Sequence, residues 1–377
     1  MNRLEFNSEE NNIDHYLHLN KYLKSKFGER TLKICIDAGF TCPNRDGLVG
    51  TGGCIFCSER GSGDLINLPF SSSKLSNSSN SDIIDDLHIN KTEIDNAKLI
   101  KEPKVHDENY NNDLINLRCA SISDQVSSYF SSYRADRANK FIAYFQNFTN
   151  TYDSIDNLKR LYDASLIDSR IVALDIATRP DCITEDIAKL LHSYINKYSV
   201  TVELGLQTSN NSVGKLINRG YSSEDFINAV NILRKYNIEV VAHIMVGLPG
   251  ELKKSSCDFY PNWVYSNIAE TVDFINNLDI QGIKIHSTYI VKNTELCNLY
   301  NNGKYTPITL DEYMYSVSYI LTHIRPNIVI HRLSADAPKN LLVAPEWNSH
   351  KKWILNGINK LLIDKNLYQG MYYKKTK

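Results

Sequence analysis

Apolar runs of strand length alternate with longer stretches of helical periodicity along most of this chain. Parallel strands need a long crossover between them, usually a helix, so the alternation predicts repeated βα units around a parallel sheet. Six such units favour an α/β fold, either barrel-like or an open wound sheet, with catalytic groups on loops after the strand carboxyl ends. The predicted strands are residues 32–36, 141–145, 171–177, 200–206, 239–246 and 282–286, and the predicted helices are 156–164, 184–198, 224–236 and 261–278.

Two stretches depart from this pattern. Residues 64–139 are rich in Asn, Asp and Ser with little clear periodicity, which predicts a polar insertion that is largely disordered or only locally helical; a small helical subdomain is the alternative. After Lys304, a helix over 310–324, a strand over 327–332 and a helix over 353–362 predict a C-terminal α/β extension. The expected organisation is an N-terminal segment (1–30), a core (31–300) that contains the insertion, and the extension (301–377).

Charge and cysteine usage limit the function classes. The formal net charge of the 377 residues is −1, so any nucleic-acid surface must be a local patch. The N-terminus has no apolar stretch typical of a signal peptide, and no apolar run reaches the roughly 18 residues that span a bilayer. Eight cysteines scattered through a chain of this size indicate a reducing compartment, so the predicted location is the cytoplasm.

Three cysteines lie in one Gly-rich loop directly after the first predicted strand, with the spacing Cys42-x11-Cys54-x2-Cys57. The glycines let the backbone curl so that the thiolates converge. A closed zinc site needs four ligands, and this loop holds no histidine or fourth cysteine; three thiolates on a four-iron cluster instead leave one iron open. From the spacing alone, an iron–sulfur cluster and a zinc knuckle with a distant fourth ligand are equally favoured. A third interpretation is that the thiols are incidental buried groups.

Further motifs follow in order along the chain, and together with the cysteine loop they resemble the YhcC/MnmL-like family of radical S-adenosylmethionine (SAM) proteins, relatives of the Elongator catalytic subunit. The resemblance covers nearly the whole chain apart from the insertion. The segments that carry it are 39–47, 142–146, 177–182, 203–208, 218–220, 243–251, 282–286, 331–333, 336–338 and 351–353.

The resemblance implies a partial (β/α)6 barrel with a [4Fe–4S] cluster on Cys42, Cys54 and Cys57 at its top. It implies that SAM binds the open iron, and that one electron, from a donor such as flavodoxin or ferredoxin, splits SAM into methionine and a 5′-deoxyadenosyl radical that abstracts a substrate hydrogen. The cofactor supplies this reactivity, and the protein orients it and excludes water.

Three residues are predicted to contact SAM, and two of them, Phe56 and Arg179, also have a purely structural interpretation. Phe56 matches an aromatic that lies beside the adenine, or else packs in the core. Gln146 ends the second strand, where its carbonyl can accept from the methionine amine. Arg179 pairs with the SAM carboxylate or a substrate phosphate, or else forms a surface ion pair.

Four more residues complete the predicted cofactor site. Asp175 lies where relatives are expected to have a small hydroxyl residue, so it faces the ribose or points elsewhere. Glu203 and Gln207 share one face of the fourth strand by its period of two, and buried polar side chains there need a partner, such as a ligand. Gly247 lies in a turn predicted to run along the adenine, where glycine permits close approach.

The substrate is not given by the core, since one fold hosts many reactions. The resemblance implies tRNA, with removal or remodelling of a 5-carboxymethylaminomethyl-type side chain on the wobble uridine. A rival hypothesis is radical modification of a small metabolite or peptide, and a non-enzymatic one is a zinc-stabilised binding module. A basic and aromatic set can meet phosphates and stack on bases, or can be a solvated face with a buried tryptophan. Its members are His331, Arg332, Lys339, Lys351, Lys352 and Trp353.

Overall fold

Seven parallel strands form one curled sheet in the part of the chain that the computed structural model describes, residues 14–61, 108–251, 253–254 and 264–374. Their order across the sheet is β1-β2-β3-β4-β5-β8-β10, and every neighbouring pair runs parallel. Two antiparallel pairs, β6 with β7 and β9 with β11, lie outside it. The strands are β1 (Thr31–Ile36), β2 (Lys140–Phe145), β3 (Ile171–Thr178), β4 (Ser199–Gln207), β5 (Glu239–Val246), β6 (Lys253–Lys254), β7 (Val264–Tyr265), β8 (Gly282–Ser287), β9 (Ile290–Val291), β10 (Val329–Arg332) and β11 (Leu342–Ala344).

Helices connect the strands and begin at local sequence signals. The Thr184 hydroxyl accepts from the Ile187 N–H at 3.3 Å, which confirms the start predicted there, although that helix ends at His192. No helix in the described ranges is both long and apolar enough to cross a bilayer. The helices are α1 (Leu19–Phe27), α2 (Glu108–Phe130), α3 (Ile155–Asp163), α4 (Glu185–His192), α5 (Asn211–Leu216), α6 (Ser223–Lys235), α7 (Ser266–Asn276), α8 (Glu295–Asn301), α9 (Leu310–His323) and α10 (Lys351–Asp364).

The two faces of the sheet have different surroundings, and β2 shows the contrast. Phe141 and Phe145 point to the outer face, where Phe145 packs edge-on against Tyr162 of α3 at 5.2 Å between ring centroids. Tyr144 points to the other face and donates to Glu203 of β4 at 2.7 Å. The outer face therefore forms the apolar core with the helices, while the curled inner face encloses a polar interior.

Helix α1 closes one end of this interior. Its Leu23 packs with Ile142 of β2 and Ala173 of β3 in a small buried cluster near the amino ends of the strands. Tyr22 and Lys26 of the same helix both donate to Glu239, the first residue of β5, at 2.9 and 2.7 Å. The interior is therefore sealed at the amino ends of the strands, and the loops at the carboxyl ends surround the other end.

The six predicted strands are confirmed to within two residues, and the seventh strand corrects the expected arrangement. The strand predicted within the C-terminal extension is β10, which pairs in parallel with β8 and completes the main sheet. Its Ile330 N–H also donates to the Leu17 carbonyl at 2.8 Å, so a segment before α1 lies against this edge. The two predicted helices of the extension are confirmed as α9 and α10, which pack together.

Part of the polar stretch expected over 64–139 belongs to the core. Helix α2 packs on β1 and α3, with Ile115, Ile122 and Val126 buried along one stripe. These apolar positions recur at helical spacing, but intervening Asn and Ser residues dilute the pattern. The helical reading is therefore correct for α2, residues 62–107 lie outside the described ranges, and the domain boundaries stay a prediction.

Candidate active site

The three cysteines of the Gly-rich loop border one cavity of about 270 Å³ at the carboxyl ends of the strands. The chain turns sharply after Cys42, whose carbonyl accepts from Arg45 and Asp46 N–H groups at 2.8 and 3.2 Å. A second turn joins the other two cysteines, since the Cys57 N–H donates to the Cys54 carbonyl at 3.0 Å. The loop therefore brings the sulfurs of all three cysteines to one rim of the cavity.

Side chains and one glycine hold this loop in shape. The Asn44 amide donates to the Asn218 carbonyl at 2.6 Å, and the Asn218 amide donates to the Gly53 carbonyl at 2.8 Å. Arg45 donates to the carbonyl of Cys57 at 3.1 Å. Gly53 has φ of 77°, and a Cβ there would lie 2.8 Å from Nε of Arg45, so only glycine fits.

A buried arginine fastens the cysteine loop to the sheet. Arg219 is fully buried and donates to the carbonyls of Leu206 and Thr208, both at 2.6 Å. Its own carbonyl accepts from Arg179 at 3.1 Å. The buried guanidinium has hydrogen-bond acceptors in these backbone carbonyls. Segment 218–220, one of the segments that carry the family resemblance, therefore joins the end of β4 to the cysteine loop.

The electrostatics of the thiols indicate what the loop can hold. Burial, together with charge on Cys57 and Cys42, raises the pKa of Cys54 to about 12, although Arg179 and Arg45 oppose the rise. The sulfurs are thus close enough to interact, with two guanidinium groups beside them. Within the described ranges, no three His, Cys, Asp or Glu side chains are grouped closely enough to hold a single metal ion. Three thiols bordering a cavity, with cations to offset thiolate charge, fit a cluster that keeps one side open.

Two cysteines outside the Gly-rich loop lie close to the site. Cys182 follows β3 and is close enough to Cys42 for the two thiols to interact, but it does not line the cavity. Cys35 is exposed, although it lies within β1, because its side chain is on the same strand face as Lys33 in the polar interior. Cys297 is buried among apolar residues, and Cys257 lies outside the described ranges.

Arg179 is buried, so its reading as a surface ion pair is wrong. It is 7% exposed and grips Asp181 with two hydrogen bonds at 2.9 and 2.6 Å. Its Nη1 lies 3.8 Å from the Cys42 sulfur. Arg179 therefore lies beside the cysteine loop and lines the cavity, while its predicted role towards SAM or a phosphate stays a prediction.

Phe56, Gln146 and Gln207 also line the cavity. Phe56 packs against two apolar clusters, one with Leu248 and one with Leu296, so it contributes to packing as well as to the cavity wall. The Gln207 side-chain oxygen accepts from the Tyr221 hydroxyl at 2.7 Å. All three are placed where a cofactor contact is feasible, and those contacts remain predictions.

Gly247 lies in a tight turn and is not among the residues that line the cavity. Its φ is 87°, and a Cβ there would lie 2.9 Å from Ile308, so the turn requires glycine for packing. Its N–H donates to the Glu251 carboxylate at 3.0 Å, and its carbonyl accepts from Tyr305 at 2.6 Å. Its predicted approach to the adenine stays a prediction.

Below the cysteine loop, the inner face of the sheet carries a buried ion-pair network centred on Glu203. This carboxylate is fully buried and accepts from Lys33 and Tyr144, both at 2.7 Å, from His243 at 2.9 Å and from Lys284. Glu203 lies about 13 Å along β4 from Gln207, and both line the cavity, as their shared strand face predicted. The cavity therefore extends from the thiols down to this network.

Asp175 belongs to the same network and not to the cavity wall. Its carboxylate pairs with Lys33 at 2.6 Å, so the side chain is engaged within the protein. Burial alone would raise the pKa of Glu203, but Lys284 and Lys33 outweigh it and hold the pKa well below its usual value. Burial lowers the pKa of Lys284 to about 8. The predicted cofactor contacts of Asp175 and Glu203 remain predictions.

Sequence reasoning missed most of this network, although a signal was present. Several otherwise apolar strands each carry a charged or polar side chain near the middle, on the face opposite the core. A charged residue inside an apolar strand is rarely buried without a partner, so such residues on neighbouring strands are candidates for a common site. The missed members are Lys33, Tyr144, His243 and Lys284.

The predicted basic and aromatic set divides between three places. Arg332 lines the cavity, whereas His331 packs against Gly282 in the sheet, and burial holds its pKa well below the usual value. Trp353 is 59% exposed and stacks on His350 with ring centroids 3.9 Å apart, so the reading of a buried tryptophan is wrong. Lys339, Lys351 and Lys352 are exposed, and Lys351 pairs with Asp336 at 2.8 Å.

Two family models and several individual proteins are similar to this chain. Residues 130–256 match the family model of the radical SAM superfamily, and residues 280–364 match the radical SAM C-terminal domain. The chain is 32% identical to the uncharacterized protein YtqA of Bacillus subtilis, over 96% of this chain and 93% of YtqA. It is 28% identical to YhcC of Escherichia coli, over 86% of this chain and 85% of YhcC.

More distant similarities concern parts of the chain. A tRNA uridine(34) acetyltransferase of Methanocaldococcus infernus is 30% identical over 46% of this chain and 30% of that protein. The solved structure of Elp3 from Methanocaldococcus infernus superposes with a TM-score of 0.51, covering 66% of this chain and 59% of that one at 22% identity. The shared fold is the curled parallel sheet with its outer helices.

Proposed function

We propose that this chain, which belongs to the radical SAM superfamily in the group of YtqA and YhcC, is an enzyme that modifies the wobble uridine of tRNA. Membership confirms the family predicted from the cysteine loop and its companion motifs, including the kinship with Elongator. Enzymes of this family use a [4Fe–4S] cluster and SAM. The observation that carries the proposal is the cavity itself, which has three thiols at its rim and a charged network at its floor.

The residues of the loop fit such a cluster. Cys42, Cys54 and Cys57 would hold it, with Arg45 and Arg179 placed to offset its negative charge. When bound, the cluster and SAM supply abstraction of a hydrogen atom from the substrate. The polypeptide contributes a fixed loop and a cavity closed at the far end by α1, so that a substrate group entering it is held away from bulk water.

The tRNA substrate is proposed from two observations. Relatives that share about half of this chain are named tRNA uridine(34) acetyltransferases, and position 34 is the wobble position. On this chain, exposed Trp353 stacked on His350, with Lys352 beside it, offers a surface on which a base can stack and a phosphate can pair. The proposed reaction is removal or remodelling of a 5-carboxymethylaminomethyl-type side chain.

The proposed partners are tRNA and a one-electron donor such as flavodoxin or ferredoxin, in the cytoplasm. Radical modification of a small metabolite or peptide is the alternative that keeps the same cavity. A zinc-stabilised binding module is disfavoured by membership of the radical SAM superfamily, which is a superfamily of enzymes.

Substrate class is tested by mass spectrometry of wobble nucleosides from a strain that lacks the gene. Accumulation of 5-carboxymethylaminomethyluridine, reversed by the intact gene but not by a Cys42→Ala copy, is the expected result. An unchanged nucleoside profile would contradict the tRNA substrate. It would leave radical SAM chemistry untouched, because that rests on the family and the thiols.

The cluster is tested separately by anaerobic reconstitution with SAM and dithionite, followed by assay for iron and 5′-deoxyadenosine. Cys42→Ala and Cys57→Ala should lose iron and produce no 5′-deoxyadenosine. Cys182→Ala is the matched control, because this thiol is near Cys42 but does not line the cavity, and it should keep its iron. Loss of iron from the control would indicate a fourth protein ligand and contradict an open site.

A further inference from the structure

Cations outnumber anions among the side chains at the cavity floor. Lys284 and Arg332 line the floor, whereas Glu203 is the acidic residue that lines it. Lys284 shares Glu203 with Lys33, and Arg332 lies 3.6 Å from Asp336, which also pairs with Lys351 at 2.8 Å. The three nearby histidines do not add an anion or a cation at pH 7, since burial lowers the pKa of each. Buried charges are normally paired, so this floor favours an anion.

Hydrogen-bond donors are also left over at the cavity floor. Lys284 gives two of its three N–H groups to Glu203 and Tyr144. Arg332 contacts Asp336 only at 3.6 Å, which is longer than a hydrogen bond. The Nε2 atom of His286 is buried and has no partner among the described residues. Each of these three side chains lines the same cavity.

The strands bring these three donors together. Arg332 of β10 is in direct register with Lys284 of β8, so the two side chains stand on neighbouring strands. His286 follows two residues after Lys284 on the same face of β8. Charge on Arg332 lowers the pKa of both Lys284 and His286, which shows that the three groups are within electrostatic reach of one another.

The spare capacity at this floor is for an anion and not for an amine. Glu203 is the carboxylate that lines the cavity here, and it already accepts from four donors. Asp175 and Asp336 are occupied by lysines at 2.6 and 2.8 Å. A carboxylate has two oxygens that accept several hydrogen bonds, and a guanidinium with an adjacent ammonium suits it.

We propose that Lys284, Arg332 and His286 form a binding site for a carboxylate of the substrate at the floor of the cavity. The identity of that carboxylate rests on the proposed function: it is the acid end of the carboxymethylaminomethyl group of the wobble uridine. A side chain held by its acid end has its methylene carbons on the side of the site that faces the cysteine rim. The site also gives a reason for three cationic or imidazole groups in an enclosed space.

The test compares two anticodon stem-loop RNAs, one with 5-carboxymethylaminomethyluridine at the wobble position and one with its methyl ester. Binding to the reconstituted enzyme is measured by fluorescence anisotropy with SAM present. The free acid should bind about 10- to 100-fold more tightly, since the ester removes one charge and its charge-assisted hydrogen bonds. Arg332→Gln and Lys284→Met should each reduce this preference to less than about 3-fold.

Two controls keep the result interpretable. Arg332 is 38% exposed, so Arg332→Gln removes the charge without breaking the core, and a thermal melt checks this. Lys292→Met removes the same charge from an exposed lysine that does not line the cavity, and it should keep the full preference for the acid. Equal binding of acid and ester by the unaltered enzyme would overturn the proposal. Loss of SAM binding in Arg332→Gln, with the acid preference kept, would overturn it too.

Failure of the tRNA hypothesis gives a different result. If neither RNA binds, the site is probed with N-methylglycine, which has the same carboxymethylamine group, and with dimethylamine, which lacks the carboxylate. Ligand-observed NMR should then detect N-methylglycine but not dimethylamine, and Arg332→Gln should abolish that signal. Absence of N-methylglycine binding would overturn the carboxylate site itself.

Discussion

Replacing Glu203 with glutamine tests whether the interior network acts as a buried ion-pair hub. The substitution keeps the shape of the side chain but removes its charge and one of its two acceptor oxygens. Lys33 keeps Asp175 at 2.6 Å and Lys284 keeps the Tyr144 hydroxyl at 3.0 Å, so each lysine loses only part of its support. Breaking a fully buried pair costs about 3–5 kcal/mol, and the remaining partners place the expected loss at the lower end, about 3 kcal/mol.

Thermal unfolding under nitrogen is the assay. A loss of about 3 kcal/mol lowers the Tm by about 4 °C in a chain of this size, because the unfolding entropy is about 2.1 cal/mol/K per residue. Glu239→Gln is the matched control, because that carboxylate also accepts from a lysine and a tyrosine but is 26% exposed, and its ion pair should contribute less than about 1 kcal/mol. If the two variants lose the same amount of stability, then water screens the interior ion pairs as much as the surface ones. That result would refute the argument that burial strengthens the Glu203 network.

The dependence on pH gives an independent reading of the same network. The pKa of Glu203 is depressed in the folded state, so its stabilising contribution is complete above the unfolded pKa of about 4.3 and decreases as the pH falls towards the folded pKa. The difference in Tm between the unaltered protein and Glu203→Gln should therefore stay constant from pH 7 to about pH 5 and shrink below pH 4. A difference that shrinks already between pH 7 and 6 would contradict a depressed pKa.

Two further predictions concern the cysteine loop and the surface. Gly53→Ala should lower the iron content of the reconstituted protein several-fold, because its Cβ would lie 2.8 Å from Arg45 at a φ of 77°. Gly303→Ala is the control and should keep its iron, because its φ is 68° but no atom lies within 4 Å of its Cβ. Equal iron content in the two variants would contradict the packing argument. Trp353→Ala should weaken binding of the stem-loop RNA about 10-fold in an anisotropy assay, without lowering the Tm. Tyr368→Ala is the control, because this side chain is 51% exposed, and it should leave the RNA affinity unchanged. An unchanged affinity in Trp353→Ala would exclude Trp353 from the RNA surface.

The sheet was largely predictable because each of its strands is a compact apolar run bounded by helical patterns. The six predicted strands follow from local alternation, which is the information that a linear sequence carries best. Membership of β10 in the same sheet was not predictable in this way, since a strand does not indicate which partner it joins. Helix α2 was obscured for a related reason, because Asn and Ser dilute its buried stripe of Ile115, Ile122 and Val126.

The cysteine loop shows how far motif reasoning extends. Spacing and glycine content placed Cys42, Cys54 and Cys57 at one site, and the structure places all three at one cavity rim. The role of Arg219 could not be predicted from the sequence, because the residue type alone does not indicate that this arginine is fully buried. Its burial follows from carbonyls contributed by the end of β4, and these positions exist only after folding.

By itself, the sequence determined the βα alternation, the position of the three-cysteine loop and the family, because each depends on residues that are close in the chain or on their order. Only the tertiary structure decided that a lysine from β1, a glutamate from β4 and a lysine from β8 meet in one enclosed network. The physical reason is that a curled sheet brings the middles of distant strands to a common interior. Electrostatic interaction there depends on distance and burial, and neither of these is a property of sequence separation.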